Sequence, residues 1–156
     1  MQECDEVELR NFLVKAKLSS YAATNDMGRV EPSIRCSKQY EFSEGRLFYR
    51  DIYFGSRRFG GIETVSVDEK PVWSLAYYGG VTTGIEKTGP IYDFLKAALR
   101  QVETRNPLRG PEEFRQGEFR YSNSAEGTLN CFTGKEIITS KDSLVYSLSY
   151  DGGCVE

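Results

Sequence analysis

Apolar and polar residues alternate along most of this chain, which is the pattern of β-strands that bury one face. Four runs of this kind lie in the first half, at about 38–43, 46–54, 59–68 and 71–78. Four more lie in the second half, at about 113–116, 118–124, 128–139 and 144–151. Turn sequences such as SEG, DEKP, RQG and SKDS separate the runs, so each group of four predicts an antiparallel meander.

Two other segments have the spacing of amphipathic helices. The first has Asp5 and Glu8 at the spacing of a capping box, and its apolar stripe consists of Leu9, Phe12, Leu13 and Ala16. The second has Pro90 in its first turn, and its stripe consists of Ile91, Phe94, Leu95, Ala98, Leu99 and Val102. We predict that both stripes lie in the core. The segments 22–35 and 104–112 have turn composition and are predicted to be mobile loops.

The second half of the chain repeats the first. Residues 59–80 and 132–153 align without a gap at an offset of 73, with nine identities in 22 positions. Further upstream the offset is 72 and three more residues match, so that Phe42, Gly45 and Tyr49 correspond to Phe114, Gly117 and Tyr121. The repeat indicates that the same arrangement of strands and turns is built twice.

The repeat predicts an α+β protein in which a helix-plus-meander unit is duplicated. Unit one spans about 5–80 and unit two about 88–153, and both belong to a single domain, 1–156. Neither helix can bury its stripe alone, so we expect one antiparallel sheet with both helices packed on one face. A sheet that curls around a helix as a half-barrel satisfies the same pattern and is the alternative.

Four segments resemble a known domain family: FYRDIYFGSRRFGGIETV, KPVWSLAYYGG, YDFLKAALR and LRGPEEFRQGEFRY. This is an uncharacterised bacterial and archaeal domain-of-unknown-function family, found alone or C-terminal to Cro-like (XRE-type) helix-turn-helix heads. The resemblance runs from about Leu9 to Gly153 and implies a prokaryotic protein with a sensing or oligomerisation role. No helix-turn-helix pattern precedes the domain here, so direct nucleic-acid binding is not expected.

Composition narrows the possible partners. The net charge of −3 and pI near 5.2 offer no attraction to nucleic acid or to an anionic membrane surface. No apolar run is long enough to span a bilayer. Four scattered cysteines, Cys4, Cys36, Cys131 and Cys154, lack metal-site spacing and are interpreted as reduced thiols of a cytoplasmic protein.

The chain contains no histidine. This excludes Ser–His and Cys–His nucleophiles and imidazole metal ligands. No metal or cofactor is therefore predicted. Acid–base chemistry would have to use Asp, Glu, Lys, Tyr or Cys.

Two glutamates are the most informative polar residues. Glu63 and its counterpart Glu136 lie in phase with apolar positions of their strands, so each must find a hydrogen bond or a charged partner, for which tyrosine hydroxyls or Arg50 are candidates. They either pin their meanders or anchor a ligand. Asp51 is a second carboxylate in unit one, where unit two has Asn123. The candidate ligand-binding residues are Tyr49, Asp51, Tyr53, Glu63, Trp73, Tyr77, Tyr121, Glu136 and Tyr150.

Three functions are compatible with these residues. The first is a non-enzymatic binding or sensing module that holds a small molecule on the aromatic side of unit one. The second is a protein interaction or oligomerisation domain without a ligand, for example a homodimer. The third is an enzyme in which Asp51 and Glu63 form an acid–base pair. The aromatic residues are also compatible with a simple packed core.

Overall fold

The computed structural model describes residues 5–23 and 25–156, so Cys4 lies outside the described part. Its helices are α1 (Glu6–Leu18) and α2 (Gly89–Leu99). The strands before α2 are β1 (Arg29–Val30), β2 (Lys38–Glu44), β3 (Leu47–Gly55), β4 (Arg58–Val67) and β5 (Lys70–Val81). The strands after α2 are β6 (Glu113–Gln116), β7 (Phe119–Thr128), β8 (Cys131–Ser140) and β9 (Ser143–Cys154).

All nine strands form one antiparallel sheet in the order β1-β2-β3-β4-β5-β9-β8-β7-β6. Each meander pairs its strands consecutively, and the two last strands, β5 and β9, join the meanders at the centre of the sheet. Their register places Tyr77 opposite Tyr150. The predicted α+β class and the single antiparallel sheet are confirmed.

The helices form where the pattern predicts them, and they cover opposite ends of the sheet. Asp5 caps α1 by accepting a hydrogen bond from the Val7 N–H, and Pro90 lies in the first turn of α2. Phe12 of α1 packs against Phe42 of β2, with ring centroids 5.6 Å apart. Phe94 of α2 packs at the same distance against Phe114 of β6. We call the face that carries these contacts the inner face.

Neither helix in the described part of the chain is long and apolar enough to cross a membrane.

The two predicted loops are more ordered than turn composition suggests. Within 22–35, β1 pairs with β2, so the prediction of a loop throughout this segment is wrong at Arg29 and Val30. Within 104–112, residues 107–110 are buried. Both differences have one cause. Residues 29–30 and 107–110 are ordered by contacts with strands outside their own segment, and local composition does not predict such contacts.

Strands β2–β5, here called the first half-sheet, share local geometry with strands β6–β9, the second half-sheet. A register shift follows Val65 in the first and the matching Ile138 in the second. Positive φ angles recur at matching turn residues, which are Asp68 and Glu69 in the first and Lys141 and Asp142 in the second. Gly45 and Gly117 have the same φ of 60°. Matching sequences therefore adopt matching backbone conformations.

A glycine beneath a tyrosine ring is a second shared feature. A Cβ atom on Gly134 would lie 2.1 Å from Cζ of Tyr150, and one on Gly61 would lie 2.6 Å from the Tyr77 hydroxyl. Each glycine faces its tyrosine across a strand pair. The absence of a side chain lets the ring lie flat on the sheet.

Gly134→Ala should lower the free energy of unfolding by about 1–3 kcal/mol, because the buried Tyr150 ring must move to admit a methyl group. Urea denaturation measures this. Lys135→Ala is the control, since Lys135 is the next residue of β8 and its side chain is exposed, and it should change stability by no more than about 0.5 kcal/mol. Equal stability of the two variants would contradict the packing of Tyr150 on Gly134.

Candidate functional site

A cavity of about 330 Å³ lies on the inner face of the first half-sheet, between α1 and α2. Its sheet side is formed by residues of β2, β3, β4 and β5, and its other walls by the end of α1, by one face of α2 and by Arg109. We call it the tyrosine cavity because six tyrosines line it: Tyr21, Tyr40, Tyr49, Tyr53, Tyr77 and Tyr92. Its volume lies in the range of small-molecule pockets.

Five of the nine predicted site residues line this cavity, namely Tyr49, Asp51, Tyr53, Glu63 and Tyr77. The other four, Trp73, Tyr121, Glu136 and Tyr150, are buried elsewhere in the core. Trp73 stacks on Phe132 at 5.8 Å and donates its indole N–H to the Leu129 carbonyl. The structure therefore brings together the residues predicted for unit one, with the exception of Trp73.

Asp51 and Glu63 lie directly opposite each other on β3 and β4 and share the inner face. Glu63 forms a buried ion pair with Lys17 of α1, and Nη1 of Arg109 lies 3.9 Å from its other oxygen. Arg50, expected as a partner, instead pairs with Glu41. Burial lowers the pKa of Lys17, although the charge of Glu63 opposes this. The floor of the cavity thus holds two carboxyls and two cations.

Asp51 is the group of the floor that forms no ion pair in the described part of the chain. Among the described residues, its carboxyl receives one hydrogen bond, of 2.7 Å, from the Tyr77 hydroxyl to Oδ1. Burial, together with the nearby charge of Glu63, raises the pKa of Asp51 to about 7, against the opposing effects of Tyr77, Lys17 and Arg109. Its second oxygen is available to a molecule in the cavity.

Tyrosine rings and two lysines form the remaining wall. Tyr40 and Tyr53 are parallel, with centroids 6.4 Å apart, and Tyr21 lies edge-on to both. Nζ of Lys38 lies 5.4 Å from the Tyr53 centroid, and Nζ of Lys96 lies 5.2 Å from that of Tyr21. Within the described part of the chain, neither lysine forms an ion pair with a carboxylate. Their positive charges face rings and the cavity.

In the second half-sheet the segment 107–110 occupies the corresponding region. Arg109 donates two hydrogen bonds to Glu136, of 2.6 and 3.2 Å, and Tyr121 and Tyr146 donate to the same carboxylate at 2.6 and 2.7 Å. Burial alone would raise the pKa of Glu136, but the Arg109 guanidinium and these hydroxyls lower it. Each carboxylate oxygen of Glu136 thus accepts two hydrogen bonds from the protein, and neither is open to a donor on a ligand.

The backbone of the same segment is held by the counterparts of two cavity residues. The N–H of Gly110 donates to the Tyr121 hydroxyl at 3.1 Å, and its carbonyl accepts from Asn123 at 3.0 Å. Tyr121 corresponds to Tyr49, and Asn123 corresponds to Asp51. The backbone of Gly110 thus bonds to the two residues whose counterparts, Tyr49 and Asp51, line the open cavity.

Sequence reasoning missed the two cations of the floor. Lys17 follows Leu13 by four residues and therefore falls on the buried face of α1, a signal that could have identified it. Arg109 lies between Pro107 and Pro111 in a segment without periodicity. No pattern in the sequence places Arg109 in the core.

The described residues contain no group of three or more cysteine, aspartate or glutamate side chains arranged to hold a metal ion. The polar groups of the cavity are carboxyls, ammonium groups, the guanidinium groups of Arg29 and Arg109, and hydroxyls of serine and tyrosine. Such groups suit hydrogen bonds and ion pairs with an organic molecule.

Fold and site together define a small α+β domain with one open nine-stranded sheet and a polar, tyrosine-lined cavity on its inner face. Residues 51–155, more than half of the chain, match the family described as "Domain of unknown function (DUF5680)", and the chain belongs to this family. The comparisons with curated proteins and with solved structures gave no match.

Proposed function

We propose that this domain is a non-enzymatic binding or sensing module and that it holds a small molecule in the tyrosine cavity. The observation that carries the proposal is the difference between the half-sheets. The second is filled by Arg109 and Gly110, whereas the first retains about 330 Å³ beside a carboxyl with one protein partner.

We also propose that the two half-sheets arose by duplication of one helix-plus-meander unit. The ungapped alignment of 59–80 with 132–153 supports this, as do the matching positive φ angles and the matching register shifts. After such a duplication one copy can keep a site while the other becomes structural. The change from Asp51 to Asn123 fits that division of roles, because at this position only the open copy has an ionisable group.

A thermal-shift screen of metabolite classes tests the binding function. A compound at a hundredfold excess over its dissociation constant should add about 2.7 kcal/mol of stability, which is a shift of about 5–10 °C for a chain of this size. The shift should change in Asp51→Asn and remain in Asp151→Asn, because Asp151 is exposed. If no compound class shifts the unfolding temperature, the binding function is wrong.

Acid–base catalysis is a second candidate, favoured by the position of Asp51 opposite Glu63 and by its pKa of about 7. The ion pair of Glu63 with Lys17 weakens it, since a paired carboxylate is a poor base. Chemical conversion of a bound compound that stops in Asp51→Asn would support catalysis. If the compound is unchanged after prolonged incubation, catalysis is wrong and binding is the function that remains.

Homodimer formation is a further candidate, favoured by apolar side chains on the outer face of the sheet. Phe54, Ile62 and Tyr78 lie on three neighbouring strands and are 44%, 44% and 60% exposed. A patch of this kind fits a second copy of the chain. Sedimentation at increasing concentration tests it, and a constant monomer mass would contradict it.

We propose a cytoplasmic location, which the thiol state of Cys36 and Cys131 supports. The resemblance to domains that follow Cro-like helix-turn-helix heads supports sensing as the use of the bound molecule.

A further inference from the structure

The charges around the tyrosine cavity do not balance. Five cationic side chains line it, Lys17, Arg29, Lys38, Lys96 and Arg109, against three carboxyls, Asp26, Asp51 and Glu63. Lys17 is paired with Glu63, Arg29 with Asp26, and Arg109 chiefly with Glu136. Lys38, Lys96 and the carboxyl of Asp51 remain, and both lysines are half-buried. A cationic surplus in a protein of net charge −3 indicates an anionic ligand.

The two lysines lie against neighbouring rings of the cavity wall. Their ammonium groups lie over Tyr53 and Tyr21, and the centroids of these two rings are 6.0 Å apart. Lys96 comes from α2, on the helix face that also carries Tyr92 and Leu99. Lys38 comes from the inner face of β2, opposite Tyr53. Two elements distant in sequence therefore place their ammonium groups beside one pair of contacting tyrosine rings.

The walls between the lysines and the floor are flat and aromatic. Tyr40 and Tyr53 are nearly parallel, with an interplanar angle of 3°, and Phe59 lies beyond Tyr53 at 6.2 Å. Aromatic rings stack or pack edge-on against such surfaces. Asp51 is two residues from Tyr53 on the same face of β3, a separation of about 7 Å along the strand. That distance is comparable to the length of one substituted aromatic ring.

We propose that the cavity binds a planar aromatic anion, whose carboxylate or phosphate lies at Lys38 and Lys96 and whose ring packs against Tyr40 and Tyr53. A hydroxyl or amino group on the far side of the ring donates to the free oxygen of Asp51. This assignment rests on the proposed binding function and adds the chemical class of the ligand.

Four probes of similar size, each with a phenolic hydroxyl, differ in the charge of the other substituent: 4-hydroxybenzoate, 4-hydroxyphenyl phosphate, neutral 4-hydroxybenzamide and cationic tyramine. Isothermal titration of the full chain at constant ionic strength should show that at least one anion binds at least 10-fold more tightly than the amide, and that tyramine binds most weakly. The stronger of the two anions identifies the acid group as a carboxylate or a phosphate.

Variants of the lysines test the assigned contacts. Lys38→Gln and Lys96→Gln should each weaken anion binding by about 10-fold or more, since each removes a charge-assisted hydrogen bond. Affinity for 4-hydroxybenzamide should change little. Lys135→Gln is the matched control, because Lys135 is exposed on the second half-sheet, and its affinities should equal those of the parent chain.

The outcomes separate this inference from the proposed function. Anions that bind no better than the amide, or lysine variants without effect, overturn the ligand class and leave the binding function in place. If none of the four probes binds while another class gives a thermal shift, the ligand class is again wrong and the function stands. If no compound of any class binds, both are wrong.

Discussion

Arg109→Ala should lower the free energy of unfolding by about 3–5 kcal/mol, the cost of leaving a buried carboxylate without its cation. Glu136 is 0% exposed, and Arg109 supplies its only cationic partner among the described residues through two hydrogen bonds. Urea denaturation at pH 7 measures the loss. The loss should shrink towards pH 3, because Glu136 can then be protonated in the folded variant.

Arg105→Ala provides the comparison for this variant. Arg105 lies four residues earlier in the same loop and pairs with Glu103 at 2.6 Å, but its side chain is 68% exposed. An exposed pair contributes about 0–1 kcal/mol, so this variant should unfold almost as the parent chain does. If Arg109→Ala cost no more than Arg105→Ala, the buried cluster around Glu136 would not exist as described.

Asp51→Asn should raise the free energy of unfolding at pH 8 by about 2–4 kcal/mol. The reason is the pKa of about 7 in the folded protein, which exceeds the value of about 3.9 for an unfolded aspartate. Between these values the folded state binds the extra proton, so this group makes the protein less stable as pH rises from about 4 to 7. Asparagine removes that dependence, and the gain should vanish near pH 4.

The structure contains a precedent for this substitution. Asn123 occupies the corresponding position and accepts the Tyr150 hydroxyl at 2.8 Å, as Asp51 accepts that of Tyr77. The charged groups that face Asp51 are Lys17 from α1, Glu63 from β4 and Arg109 from the loop, and all of them remain in the variant. Denaturation curves at pH 4, 6 and 8 measure the effect.

Asp151→Asn is the control for pH, since this exposed aspartate lies on the outer face. Its stability should follow that of the parent chain at every pH. A gain for Asp51→Asn that is equal at pH 4 and pH 8 would contradict a raised pKa. A loss at pH 8 would show that the ionised carboxyl stabilises the fold.

Local periodicity was sufficient for most of the fold. The two-residue alternation of each meander and the stripes of α1 and α2 predicted these elements correctly, because the side that a residue faces depends only on its neighbours in sequence. The same reasoning put Glu63 in phase with the apolar residues of its strand, and the register of β3 with β4 then showed that Asp51 lies opposite it. It failed for β1, whose two residues form a strand only because β2 lies beside them.

The ion pairs of the site join residues that are far apart in sequence. Alternation indicated that Glu63 and Glu136 are buried, but their partners Lys17 and Arg109 come from a helix and a loop that are 46 and 27 residues away. Arg50, the candidate nearest in sequence, points away from Glu63 because it occupies the opposite phase of β3. Ion pairs in a core form between side chains that are close in space, and the alternation of apolar and polar residues along a strand does not predict which distant segment will be close.

Sequence alone thus established the class of fold, the correspondence between the two meanders and the inward direction of the carboxylates, since all three follow from the pattern of neighbouring residues. The tertiary structure established that the first half-sheet carries the tyrosine cavity, whereas Arg109 and Gly110 bond to the inner-face side chains of the second. The physical reason is the position of residues 107–110, which bury Arg109 against Glu136 on one side only. The position of a loop without periodic side chains is determined by the surfaces against which it packs.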